Sequence, residues 1–237
     1  MRFAVIGDTH SNIYALESVF SGLDKQDVDF IVSTGDMVGC CTHPNEVIGY
    51  LRKRNVLSVQ GNSDRAIAHF EEIYGYDPHE MKYSKKPTEA MLYSHTVINY
   101  KNRLYLKNLP LEIKLKTDGL EILILHGSPR SIEEYLYEDS PILDQVTREI
   151  KEHVLICGHT HIPYYKVVNG KHIINPGSVG WPRHGKPIST CAIMDIRDGA
   201  VGVDILEVPY DFEKSARDIE ENEHIPNKYA EKIRTGK

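Results

Sequence analysis

Seven side chains able to bind divalent metal ions fall at five places in this chain: Asp8 and His10 in Gly7-Asp8-Thr9-His10, Asp36 in Gly35-Asp36, Asn62 in Gly61-Asn62, His126 in His126-Gly127, and His159 with His161 in Gly158-His159-Thr160-His161. Carboxylate, carboxamide and imidazole together suit divalent first-row ions. Each piece alone has an ordinary reading: Asp caps helices, Asn sits in turns, and a buried histidine can be hydrogen-bonded in a core. Their joint recurrence points to chemistry. One catalytic zinc-like ion uses about three or four protein ligands and keeps a position open. Seven candidates therefore imply two ions, with Asp8, His10 and His161 on one, Asn62, His126 and His159 on the other, and Asp36 bridging.

Two divalent ions set against two carboxylates and a bridging hydroxide leave a charge of about +1, which attracts an anionic phosphoryl group. Ions about 3.5–4 Å apart would acidify the bridging water, hold it in line with phosphorus and stabilise charge on the phosphoryl oxygens. The expected reaction is hydrolysis of a phosphate ester, with Asp36, Asn62 and His126 as the catalytic core of the site.

The candidates can meet only if strands deliver them. Residues 3–6 are a short apolar run ending at Gly7, followed by residues 11–23, where Ile13, Leu16, Val19, Phe20 and Leu23 recur at helical spacing. Residues 30–32 end at Thr34-Gly35-Asp36, Pro44 opens a helix through Leu51, and residues 56–59 end at Gly61-Asn62. This alternation predicts βαβ units and a largely parallel sheet. Such sheets bind ligands beyond the carboxyl ends of their strands, and the adjoining glycines allow the sharp turns that convergence requires.

From Leu111 the rhythm changes to hairpins, with residues 111–116 and 121–125 about Asp118-Gly119, 164–168 and 171–174 about Asn169-Gly170, and 190–196 and 201–206 about Asp198-Gly199. With residues 154–156 they are expected to extend a second sheet, and two sheets with outer helices are the simplest packing. Residues 64–110 read as a helical insert and candidate cap, and residues 209–237 as C-terminal helices split by Pro226. The whole of 1–237 reads as one domain.

At 237 residues, 41% hydrophobic and 26% charged, the chain has an ordinary globular composition that excludes collagen, coiled coil and disorder. Lys+Arg 28 against Asp+Glu 34 gives a net charge of -6. Mild acidity offers no footprint for duplex nucleic acid, so a phosphate-bearing ligand needs a localised cationic site. No run approaches the roughly 18 apolar residues of a membrane span, and residues 3–6 are too short for a signal-peptide core. Cys40, Cys41, Cys157 and Cys191 show no C-x-x-C spacing, which predicts reduced thiols and a cytoplasmic location.

The ordered blocks Asp8-Thr9-His10, Gly35-Asp36, Gly61-Asn62-Ser63-Asp64, His126-Gly127 and Gly158-His159-Thr160-His161 resemble those of the calcineurin-like metallophosphoesterase superfamily. Asn175-Pro176-Gly177-Ser178-Val179-Gly180 and Pro209-Tyr210-Asp211 extend the resemblance to its small prokaryotic branch, which includes phosphodiesterases of the YfcE type. The resemblance implies a four-layer α/β/β/α sandwich of two mixed sheets flanked by helices, and it supports the ligand split above. Protein phosphatases of the superfamily carry a His where this chain has Ser63, and the family implies that this His protonates the leaving group or holds substrate, oriented by the following Asp. Serine is a poor general acid at neutral pH. The expected substrates are therefore small phosphodiesters or nucleotide phosphoanhydrides with good leaving groups. A dinucleoside polyphosphate hydrolase and a protein phosphatase are the alternatives within the same chemistry, and a eukaryotic relative implies a third, a non-catalytic scaffold. A scaffold need not keep its ligands, whereas all seven are present here.

Further candidates lie outside the ligand blocks. Arg130 follows His126 by four residues and Arg183 follows the Asn175–Gly180 turn, so either could grip a phosphoryl oxygen. Tyr74, Tyr76, Tyr83, Tyr93, Tyr100 and Tyr105 interleave with Lys82, Lys85, Lys86, Lys101, Arg103 and Lys107, a mixture that can stack bases or simply pack an amphipathic insert. Manganese is the working expectation for the ions, and iron, nickel, cobalt and zinc suit the same donors.

Overall fold

The computed structural model describes residues 1–77, 82–83 and 86–237. The chain runs β1 (Arg2–Ile6), α1 (Ile13–Leu23), β2 (Phe30–Ser33), α2 (Pro44–Lys53) and β3 (Leu57–Ser58). Next come α3 (Asn62–Ala68), α4 (Phe70–Tyr74), the small hairpin of β4 (Tyr76–Asp77) and β5 (Lys82–Tyr83), α5 (Glu89–Val97) and α6 (Tyr100–Lys107). Then follow β6 (Glu112–Thr117), β7 (Leu120–Leu125), α7 (Ile142–Glu149), β8 (Val154–Ile156), β9 (Tyr164–Val168), β10 (Lys171–Asn175), β11 (Ser189–Arg197), β12 (Ala200–Val208), α8 (Phe212–Glu220) and α9 (Lys228–Thr235).

Two five-stranded mixed sheets, ordered β12-β11-β1-β2-β3 and β6-β7-β8-β10-β9, carry the fold. Strand alternation decides how they stack. Phe3 and Val5 of β1 point to one side and pack with Val32, Ile122, Ile124, Val154, Ile156, Ile174, Ala192 and Met194, so this cluster is shared by both sheets. Ala4 and Ile6 point to the other side, against Leu16, Val19 and Phe20 of α1 and Val47, Ile48 and Leu51 of α2. On the far face of the second sheet, Leu123, Leu125, Leu155 and Ile173 meet Leu143 and Val146 of α7. Helix, sheet, sheet and helix form four layers. Each fully buried aliphatic side chain contributes about 1.5–3 kcal/mol relative to exposure.

Two pairings differ from the sequence expectation. The β11–β12 hairpin joins the first sheet, through antiparallel pairing of β11 with β1 in the register Phe3↔Met194, rather than extending the second. The reason is two-sided burial: Ala192, Met194 and Ile196 fill the space between the sheets, while Cys191 and Ile193 face the helices. Such a strand belongs inside a sheet. Likewise β8, buried at all three positions, lies between β7 and β10 and is parallel to both. The Asp118-Gly119, Asn169-Gly170 and Asp198-Gly199 turns all have positive φ at both residues, as type I′ hairpins demand. Among the described residues no helix is long and apolar enough to cross a membrane.

Candidate metal centre

The carboxyl ends of β1, β2, β7 and β8 and the N-terminus of α3 meet at one edge of the two sheets. Loops zip together there through backbone bonds: Asp8 N–H donates to Gly35 O at 2.9 Å, His10 N–H to Asp36 O at 3.0 Å and Gly158 N–H to His126 O at 2.8 Å. The chain pays for this convergence in backbone strain, since Asp8, His10, Asp36, His159 and His161 all hold φ between 48° and 67°. Non-glycine residues rarely adopt that region, and clusters of them mark functional sites. Close approach also demands glycine at two points: a Cβ on Gly61 would lie 2.1 Å from Asp36 Oδ1, and one on Gly158 would lie 2.7 Å from Asp8 Oδ2.

All seven sequence candidates are brought together. Asp8, His10, Asp36 and His161 present donor atoms within 4.8 Å of one another, and so do Asp36, His126 and His159, making Asp36 common to both groups. Asn62 Oδ1 lies 2.8 Å from His126 Nε2.

The outer hydrogen bonds assign the imidazole tautomers. His10, His126 and His161 direct Nδ1 at the carbonyls of Val38, Thr34 and Trp181, at 3.0, 2.8 and 2.6 Å, so Nδ1 carries the proton and Nε2 the lone pair. His159 is reversed, its Nε2–H donating to Glu133 O at 3.2 Å and its Nδ1 facing inward. Acceptors then face acceptors. His10 Nε2 is 3.2 Å from His161 Nε2, and His126 Nε2 is 3.1 Å from His159 Nδ1. The buried Asp8 Oδ1 finds no hydrogen-bond donor. A cluster of lone pairs and an orphaned carboxylate oxygen is stable with cations among them, so the donor set fits divalent metal ions.

Burial pushes the Asp8 carboxyl up, but the imidazoles of His161, His126 and His10 outweigh it and hold it well below the usual carboxylate range. Burial pushes His10 down to about 4 against the pull of Asp36, and lowers His159 as well, keeping both rings neutral as ligation requires. For His126 burial acts downward, yet the Asp36 and Asp8 carboxylates raise it.

Ser63 and Asp64 hold Asp36 in place. Ser63 N–H donates to Asp36 Oδ1 at 2.8 Å and Ser63 Oγ to Asp36 Oδ2 at 2.9 Å. Asp64 accepts from the backbone N–H groups of Asp36, Met37 and Gly61 at 2.8, 2.9 and 3.0 Å, clamping the loop after β2 to the start of α3. Burial and the Asp36 carboxylate push Asp64 up to about 7, opposed by the Gly61 and Met37 N–H groups and by His126. Beneath the site, Asn175 donates to Gly158 O at 2.7 Å and Ser178 Oγ to Asp8 O at 2.7 Å.

A cavity of about 950 Å³ opens over the centre, and its lining includes His10, Asp36, Asn62, Ser63, His159, His161 and Arg183. Arg130 is not in that lining: its guanidinium grips Glu134 at 2.7 and 3.0 Å and reaches Gln145 at 3.3 Å. Of the insert tyrosines, Tyr74 lines the cavity, Tyr93 donates to Thr42 O at 3.0 Å, Tyr105 lies beneath the Arg52 guanidinium and Tyr100 is exposed. Lys85 and the side chains of Tyr76, Lys82 and Tyr83 lie outside the described residues. Sequence reasoning missed Tyr135, whose ring stacks on His159 at 4.0 Å, and Trp181, whose carbonyl fixes His161. Neither had a local signal. It also missed Arg65, which directly follows the Asn62–Asp64 block, and Lys228, Tyr229 and Lys232 of α9.

The calcineurin-like phosphoesterase superfamily domain matches residues 1–199, which contain all seven candidate ligands. The chain belongs to that superfamily. This calcineurin-like phosphoesterase is 32% identical over 251 aligned positions to an uncharacterized protein of Methanocaldococcus jannaschii, covering 99% of this chain and 98% of that one. A metallophosphoesterase from Sphaerobacter thermophilus superposes with a TM-score of 0.81 at 27% identity, over 100% of this chain and 99% of the other. A hypothetical protein from Pyrococcus horikoshii shares the fold with a TM-score of 0.82 at 22% identity, over 100% and 98%. Family membership and the buried Asp/His groups together make the chain a metal-dependent phosphoester hydrolase.

Proposed function

We propose that this phosphoesterase uses two divalent ions to hydrolyse small phosphodiesters or nucleotide phosphoanhydrides. The observation that carries the two-ion reading is the sharing of Asp36 between two donor groups. Asp8, His10 and His161 would hold one ion and Asn62, His126 and His159 the other. When bound, such ions acidify a water and neutralise charge that develops on phosphoryl oxygens. The chain's own part is to aim the neutral imidazole lone pairs inward, hold Asp36 by both oxygens and bring substrate to the cavity. Arg183 lines that cavity and is exposed there, which supports its role in binding a phosphoryl oxygen.

The diester preference rests on Ser63. Its hydroxyl proton is committed to Asp36 Oδ2, so position 63 supplies no acid to a departing alkoxide. Leaving groups that depart without protonation, such as aryl oxides or phosphates, are favoured. The 64–110 insert and α9 both reach the cavity wall, through Tyr74, Met91 and Tyr229 among others, and we place them as a cap over a single-domain site. The four free cysteines suit a reducing compartment such as the cytoplasm, and manganese is the ion to supply first.

Metal content measured together with hydrolysis of bis-p-nitrophenyl phosphate and p-nitrophenyl phosphate tests this reading. Two metal equivalents with faster diester cleavage support it. One equivalent overturns the two-ion centre, a faster monoester overturns the leaving-group argument, and a metal-free inactive protein favours a non-catalytic role.

A further inference from the structure

The cavity wall reverses the sign of the protein. The chain carries a net charge of -6, yet Arg65, Arg183, Lys228 and Lys232 all line the cavity, against the carboxylates of Asp36 and Glu133. The four cations come from α3, the loop after Trp181, and α9, so no one segment's composition produces the cluster. Lys228 lies 3.4 Å from Glu89, while Arg65, Arg183 and Lys232 have no carboxylate partner among the described residues. The positive field of Arg183 reaches His10 and Cys40, and that of Lys232 reaches Cys40.

Helix α9 lies past residue 199, where the family-domain match ends. It is fastened to the site by Ala230 and Ile233, which pack with Trp181, and by the Trp181–Tyr229 ring contact at 5.7 Å. Lys228 and Lys232 are four residues apart and so share the face that this packing turns to the cavity. A volume of about 950 Å³ far exceeds one phosphoryl group and matches a nucleotide-sized ligand. Four cations on a cavity wall, three of them without a carboxylate partner among the described residues, beside a centre read as binding a phosphoryl group, call for an anion with several charges in a row.

We propose that Lys228 and Lys232 of α9 form a subsite for the remote phosphates of a linear phosphoanhydride chain, as carried by a nucleoside polyphosphate. This rests on the phosphoester-hydrolase reading above and narrows its substrate class. Arg183 and Arg65 line the same cavity as that subsite and the metal-binding cluster.

The test is calorimetric and separate from catalysis. Metal-stripped protein is titrated with inorganic tripolyphosphate and with orthophosphate, for the wild type, Lys228→Gln/Lys232→Gln, and the control Lys25→Gln/Lys151→Gln. Wild type should prefer tripolyphosphate, and loss of two charge-assisted contacts should weaken that binding by about tenfold or more while orthophosphate affinity holds within about threefold. The control, with the same change in net charge, should bind as wild type. Equal affinity for the two anions in the wild type, an unaltered double variant, or equal weakening in the control overturns the subsite. Should the double variant fail to fold by circular dichroism, Lys232→Gln alone, at a side chain with no carboxylate partner among the described residues, must weaken tripolyphosphate binding by about threefold or the proposal falls. The hydrolase reading fails on different evidence, namely absent metal uptake or absent ester cleavage.

Discussion

Asp36 is held by Ser63 through both carboxylate oxygens and faces His10 Nε2 at 3.5 Å and His126 Nε2 at 3.6 Å. Replacing it by Asn removes the charge that both donor groups share. Asp36→Asn should lower kcat/KM for an aryl phosphodiester by about 100-fold or more, since even indirect ligand partners cost 10- to 100-fold. Atomic absorption should show fewer than two metal equivalents. Ser63→Ala leaves the ligands in place but frees Asp36 Oδ2, so metal affinity should fall by about tenfold with the fold intact, read by metal titration and circular dichroism. The convergence of the candidate ligands was legible because Asp, Asn and His recur beside glycines at strand ends. The role of Ser63 was not, because the hydrogen bonds it makes cross from α3 to the loop after β2.

The loop after β2 and the start of α3 behave as one element because Asp64 accepts three backbone N–H groups from them. Asp64→Ala strands those buried donors at about 1–3 kcal/mol each, so a loss of about 3 kcal/mol or more is expected in urea denaturation, together with weaker metal binding. At the other end of the site, Asn12 caps α1 through Ala15 N–H, donates to Gly180 O and accepts from Ser215 Oγ of α8. Asn12→Ala should cost about 2 kcal/mol, at the upper end for a cap because two tertiary bonds are lost with it. Helical spacing and turn residues made α1, α2 and the three Asx-Gly hairpins readable. The placement of β11 was not, since its run of apolar residues fits any interior strand and only pairing with β1 assigns its sheet.

Across the whole molecule, stability and function separate by layer. The inter-sheet core holds Ile122 fully buried, in the middle of β7, so Ile122→Ala should cost about 2–5 kcal/mol in denaturant unfolding while metal stoichiometry stays as in the wild type. Removing metal acts from the opposite side. Ions that bind the folded chain at a free concentration of about 100 Kd add about 2.7 kcal/mol, so chelation should lower Tm by about 5–10 °C at about 2–4 °C per kcal/mol for a chain of this size. A Tm unmoved by chelator would contradict a centre built of facing lone pairs.

By itself the amino-acid sequence determined the donor set, its order and the strands that carry it, because ligand chemistry is a property of residue types and strand ends are marked by local turn signals. It also determined the hydrophobic alternation that forces two sheets to stack. Tertiary structure decided what depends on residues far apart in the chain. The carbonyls of Val38, Thr34, Trp181 and Glu133 settle which nitrogen of each histidine faces inward. Folding likewise turns Arg130 onto Glu134 and carries Lys228 and Lys232 to the cavity wall. No spacing rule reports such contacts, since they arise from side-chain direction and packing between segments that meet only when the sandwich closes.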